Sequence, residues 1–162
     1  MRHIIILMVS LFFISCENWL DVSPKSDIKV EDLFSTQEGF EDAVMGVYSL
    51  MTLPDVYGAN LSFGYADVLA AYYTVGTKSA FYEASKYNYR EAGEEGRLSS
   101  IWSLMYKGIA NLNSILKHVD ERQEVFGEND FYLYKGEVLA LRAMLHFDLL
   151  RLFAPSMKVG EK

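Results

Sequence analysis

A single cysteine, Cys16, is all the disulfide chemistry this chain has. With no partner it forms no intrachain bridge, and the even cysteine count of a disulfide framework is missing. Prolines are also few: Pro24, Pro54 and Pro155 are the only ones in 162 residues. Basic residues number 15 against 22 acids, for a net charge of -7, and no basic stripe stands out. Such a chain makes a poor partner for a phosphate backbone, so no nucleic acid is expected. No apolar run reaches the roughly 20 residues needed to span a bilayer. Absent too are a phosphate-cradling glycine loop, zinc-ligand spacing and a serine elbow. No catalytic residue, metal ligand or cofactor is therefore expected, and the chain does not read as an enzyme.

What is present is material for a core. Half of the residues (51%) are hydrophobic and 14% are aromatic, enough to keep most of the length from being disordered. The length suits one domain or part of a larger one.

The N-terminus reads as an export signal. Met1, Arg2 and His3 form a short basic start, and Ile4 to Ile14 is apolar except for Ser10. Ser15 places a small residue directly before Cys16. A basic start, an apolar run of this length and a small residue at the cut make a secretory signal. With cysteine at the cut the segment resembles a bacterial lipoprotein signal over residues 1–15, although Phe13 stands where leucine is usual. That resemblance implies lipidation of Cys16, including palmitate. Several chains on one residue would meet the two-signal requirement of stable anchoring.

Residues 16–35 are polar, contain Pro24 and read as a tether. A helical domain is expected over 36–162. Ser35 and Glu38 have capping-box spacing, and Phe40, Val44, Val47 and Met51 follow at helical spacing. Pro54 closes that helix. Residues 60–73 read as a second helix, weakened by Gly64 and aromatics. A third covers Ser99 to His118. At about 100° per residue, its Ile101, Leu104, Met105, Ile109, Leu112, Ile115, Leu116 and Val119 share an arc of about 140°. Gly108 lies in that arc, where a missing side chain lets another helix approach. The last helix covers 130–153 and is apolar on two sides: Phe131, Tyr134, Val138, Leu141, Leu145, Leu149 and Leu152 on one, Ala140, Ala143, Phe147 and Leu150 on the other. Such a helix is expected between neighbours. Between helices, 74–97 reads as a long aromatic loop with 86–90 open to extension, and 120–130 as a charged one. The expected fold class is all-α, and antiparallel helix pairs of these lengths fit an α-solenoid plan.

Four stretches in order resemble SusD/RagB-type nutrient-binding lipoproteins of the outer membrane. They are Cys16 with Leu20-Asp21 and Pro24, then Phe34 to Phe40 with Gly46-Val47-Tyr48. Trp102, Tyr106, Ile109, Asn111, Asn113 and Leu116 follow, and then Glu137, Leu141-Arg142-Ala143, His146-Phe147, Leu149-Leu150-Arg151, Phe153 and Pro155. The resemblance implies tetratricopeptide-like helix pairs. It also implies an outward-facing place on the outer membrane, and capture of oligosaccharides or other nutrients for a TonB-dependent transporter of the SusC type. Family members are considerably longer, so an incomplete SusD-like fold, an N-terminal portion, is expected. A helical scaffold lipoprotein that binds other envelope proteins is the alternative.

Candidate ligand contacts are sought in the aromatic loop. Tyrosine offers an apolar ring face to the C–H side of a sugar and a hydroxyl to its rim, and loops of this length are often functional. Tyr82, Tyr87, Asn88 and Tyr89 are the expected ligand-binding residues. Elsewhere the bland reading is preferred. Arg151 lies three residues after Asp148 and should pair with it, His146 should be a core residue, and the adjacent Glu94 and Glu95 should be solvated.

Overall fold

A computed structural model describes residues 29–127 and 129–155. Cys16, the signal segment 1–15 and most of the tether lie outside the described residues. Residues 29–32 belong to a unit that precedes Leu33. Of it we describe only a helical turn, α1 (Val30–Leu33), in which the Asp32 N–H donates to the Lys29 carbonyl at 3.0 Å.

From Leu33 onward the described residues form one compact unit. Its long elements are α2 (Gln37–Met51), α5 (Ala92–Glu121) and α6 (Asp130–Phe153). Two short helices, α3 (Tyr65–Leu69) and α4 (Tyr82–Ser85), lie in the long connection, and a single 3-10 turn covers Gln123–Val125. Among the described residues no strand occurs, so the fold is all-α.

Polar contacts give the helix directions. Gln37, Tyr48 and Tyr57 bond in turn to Asp130, Glu137 and Asp148, so α2 and α6 run parallel. Arg142 reaches Asn113 and Lys135 reaches Asp120, so α5 is antiparallel to α6. The core is the seam they share. Phe40, Val44, Val47 and Met51 come from α2, Ile101, Met105, Ile109, Leu112, Ile115, Leu116 and Val119 from α5, and Val138, Leu141, Leu145 and Leu149 from α6. Each such side chain contributes about 1.5–3 kcal/mol by leaving water. At Gly108, α5 packs tightly against side chains of both neighbours. A β-carbon there would meet Leu145 Cδ1 at 3.0 Å and Leu50 Cδ2 at 3.7 Å.

Several expectations need correction. The cap of α2 is Thr36, whose hydroxyl accepts from the Gly39 N–H at 3.2 Å, rather than the Ser35–Glu38 box one residue earlier. Glycine is required at that register, because a β-carbon on residue 39 would lie 1.6 Å from the Leu33 carbonyl oxygen. The helix expected over 60–73 shrinks to Tyr65–Leu69. Before it the backbone winds through wide turns such as Ala66 N–H to Asn60 carbonyl, as the low propensity of Gly64 and the aromatics allows.

The helix expected over Ser99 to His118 is α5, which starts earlier than its apolar arc, at Ala92. There the Glu91 carboxylate caps the Gly93 and Glu94 amides at 2.8 and 3.3 Å. The last helix matches its expected span but is not buried on both sides: Leu133, Phe147 and Leu150 are 66%, 58% and 62% exposed. His146 is exposed rather than a core residue.

Candidate functional site

Residues 82–90 form a compact knuckle. After α4 the chain reverses at Tyr87, whose φ of 56° lies in the left-handed region that an aromatic residue rarely adopts. No extended segment forms over 86–90. The turn is held by the Tyr87 hydroxyl, which donates to the Leu69 carbonyl at 3.0 Å.

The four expected contact residues divide into two pairs. Tyr87 and Tyr89 come together with ring centroids 6.3 Å apart at 64°, and both are exposed. Tyr82 and Asn88 are turned to local partners. The Lys86 ammonium sits 4.1 Å above the Tyr82 ring, and Asn88 Nδ2 donates to Glu83 Oε2 at 2.8 Å. An occupied ring face and a spent amide leave those two with less to offer a ligand.

Behind Tyr89 lies a hollow of about 230 Å³, walled by Tyr65, Leu69, Tyr89, Leu98, Leu152 and Phe153. Tyr65 opens α3 and is fully buried, yet its hydroxyl has no hydrogen-bond partner. Close to it is Glu94, in the first turn of α5. The sequence made Glu94 a solvated loop acid, but the early start of α5 carries it inside, only 1% exposed. Glu95 does stay exposed.

Glu94 Oε2 faces Arg97 Nε at 3.6 Å, an ion pair too long to be a hydrogen bond. The Arg97 guanidinium is engaged elsewhere as well, donating to the Ala80 carbonyl at 3.1 Å and lying 4.5 Å from the Phe81 ring. Burial pushes the Glu94 carboxyl above the usual carboxylate range, against the pull of Arg97. Burial, reinforced by Glu94, raises the Tyr65 hydroxyl to about 12. Burial, then Tyr87 and Glu94, raises Tyr89 in the same direction.

Two further hollows share walls with the first. One of about 290 Å³ adjoins it at Leu69 and Leu152 and carries the Asp148–Arg151 pair on its wall. Those two residues pair at 2.9 Å, as their spacing implied. The other, about 340 Å³, adjoins at Phe153 and is bounded by Trp102, Tyr106 and His146. Trp102 lies 4.7 Å from Tyr106 and 5.0 Å from Phe153.

Reasoning from the sequence did not anticipate the buried, unpartnered Tyr65 hydroxyl or the burial of Glu94. The signal for Glu94 was available: the acids Glu91, Glu94 and Glu95 ahead of an apolar periodic run mark a helix N-terminus. Nothing comparable marked Tyr65, whose isolation is a matter of what fails to reach it. Among the described residues no group of histidine, cysteine, aspartate or glutamate could hold a metal ion. Among them, too, no helix is long and apolar enough to cross a membrane.

Comparison with known proteins adds to this geometry. The SusD-like family model, described as starch-binding and associating with the outer membrane, matches residues 18–161. Over 160 residues the chain is 26% identical to a SusD-like protein of Formosa agariphila, an alignment covering 92% of this chain and 30% of that protein. The chain thus spans about 30% of the length of the curated relative it matches. No solved structure matches the chain.

Proposed function

The chain belongs to the SusD-like family, and from that premise we propose that it serves a cell-surface receptor. The receptor binds oligosaccharides or other nutrients and passes them to a TonB-dependent, SusC-like transporter. In this reading residues 1–15 are removed, Cys16 carries the lipid, 16–35 is the tether, and the helical domain from 36 onward faces the cell exterior. The single observation that carries the reading is the match to a starch-binding, outer-membrane family over residues 18–161. The exposed Tyr87–Tyr89 pair supports it, since two rings at 6.3 Å offer adjacent stacking faces to a glycan. Tyr82 and Asn88 remain proposed contacts at its edge.

The test is calorimetric titration of the protein with maltoheptaose. Binding is expected in the wild type, and Tyr87→Ala with Tyr89→Ala should weaken it about tenfold, close to 1.4 kcal/mol. Absence of binding to maltoheptaose, to a panel of other oligosaccharides and to a panel of other small nutrients refutes the receptor reading. Lipidation is tested separately, by radioactive palmitate labelling in a bacterial host, which Cys16→Ala should abolish.

The open side of α6 favours a second reading, a helical scaffold that docks other envelope proteins. Pull-down from detergent-solubilised membranes separates the two. Partners lost on Phe147→Glu with Leu150→Glu, and kept when maltoheptaose is added, support the scaffold.

A further inference from the structure

Among the described residues Glu94 is the one ionisable acid or base that is fully buried. A buried carboxylate is tolerated where partners replace the water it has lost. Glu94 has little of that. Its Oε2 has no hydrogen-bond partner, and its ion pair to Arg97 Nε spans 3.6 Å. Arg97 is divided besides: Nη2 donates to the Ala80 carbonyl, and the guanidinium lies against the Phe81 ring.

Titratable groups of several segments face this carboxyl. Tyr65 comes from α3, Glu83 from α4 and Tyr89 from the knuckle, while Glu91 and Arg97 flank it on α5. Of these only Arg97 is a cation. Glu83 and Glu91 oppose a charge on Glu94, and burial opposes it more strongly, so the neutral acid is favoured. Residues 80–90 therefore pack around an acid whose ionised form they solvate poorly. Arg97 fastens the start of that segment, through Ala80 and Phe81, to the same turn of α5.

We infer that Glu94 is a pH-sensitive device that governs how tightly residues 80–90 stay closed on α5. With the carboxyl protonated the segment is held. With its proton given up to solvent the segment opens more often, because opening lets water reach the buried charge. A solvated carboxyl titrates near 4.5, and this one is raised in the closed form, which thus binds the proton more tightly than the open form does. Opening gains about tenfold for each pH unit between those two values and levels off above the higher one. Tyr87 and Tyr89 ride on this segment, so their ring pair is held most firmly in acid.

The experiment is hydrogen exchange read by mass spectrometry on the full chain from about pH 4 to pH 8, with intrinsic exchange rates divided out. Peptides covering 80–90 should lose protection several-fold as pH rises, while those of α2 and α6 keep theirs. Glu94→Gln stays neutral and should hold the acid level of protection throughout. Glu95→Gln, at the exposed acid one residue on, should follow the wild type.

Protection over 80–90 that is constant with pH, or that falls equally in Glu94→Gln, overturns the device. So does a fall shared by α2 and α6, which marks a loosening of the whole fold. Should Glu94→Gln fail to fold, carbon-13 titration of the Glu94 carboxyl in the wild type decides. A midpoint above 4.5, at the pH where the loss of protection levels off, supports the device. Any other midpoint overturns it.

Discussion

The Tyr57 hydroxyl donates to Asp148 Oδ2 across 2.7 Å, and Asp148 Oδ1 accepts from Arg151 Nη1 at 2.9 Å. Tyr57 follows α2 and Asp148 lies near the end of α6, so this bond ties the long connection to the last helix. Burial, then the bond to Asp148, raises the Tyr57 hydroxyl well above its ordinary value. Tyr57→Phe should therefore cost about 1.5–3 kcal/mol, the worth of a bond to a charged acceptor. Urea denaturation of the two proteins checks this, and an unchanged midpoint would show the bond to be idle.

Gly39 sits beneath the Leu33 carbonyl, where a β-carbon has no room against backbone atoms at 1.6 and 2.8 Å. Backbone cannot swing aside as a side-chain end can. Gly39→Ala is expected to destabilise by about 3 kcal/mol or more, in the tail reserved for strain and broken caps. Thermal unfolding followed by circular dichroism measures it. Thr36→Ala, which removes only the cap, should cost about 1 kcal/mol.

Gly108 presents the milder case. Its missing β-carbon would touch Leu145 Cδ1 at 3.0 Å, the movable tip of a side chain. Alanine gains about 1 kcal/mol in helix propensity, which roughly offsets the tight contact, so Gly108→Ala should be near neutral. Gly108→Val has no such offset and should lose about 1–3 kcal/mol by overpacking. Equal midpoints for alanine and valine would refute the close approach.

Tyr65 makes an alkaline prediction. Its hydroxyl titrates at about 12 in the fold against 10.0 ordinarily. Between those values the unfolded chain has released a proton that the folded chain still holds, so stability falls as pH rises from 10 to 12. It is fully present below pH 10. Tyr65→Phe removes this proton from both states, and the fall should become shallower. Urea midpoints at pH 9 and pH 11.5, wild type against variant, give the comparison. Identical slopes would show that Tyr65 ionises freely.

The all-α class, the presence of the three long helices and most of their buried positions were legible in the sequence. A helix with one apolar face announces it at 3.6-residue spacing, as Ile101 through Val119 do. Its start was less legible: α5 begins nine residues before its first fully buried apolar position, because the opening turns are capped by Glu91 rather than packed. That difference decided the fate of Glu94, which periodicity leaves in a loop and the extended helix carries inside.

The sequence by itself determined the three long helices and the family to which the chain belongs, since periodicity and motif order are local properties of the chain. Only the tertiary structure decided which side of α6 is covered, because an apolar side chain is buried by what packs on it and not by its own character. For the same reason it alone brought Tyr65 and Tyr89 to one hollow and buried Glu94 close to Tyr65. Each lies on a different segment, and an unsatisfied hydroxyl is defined by neighbours that never arrive.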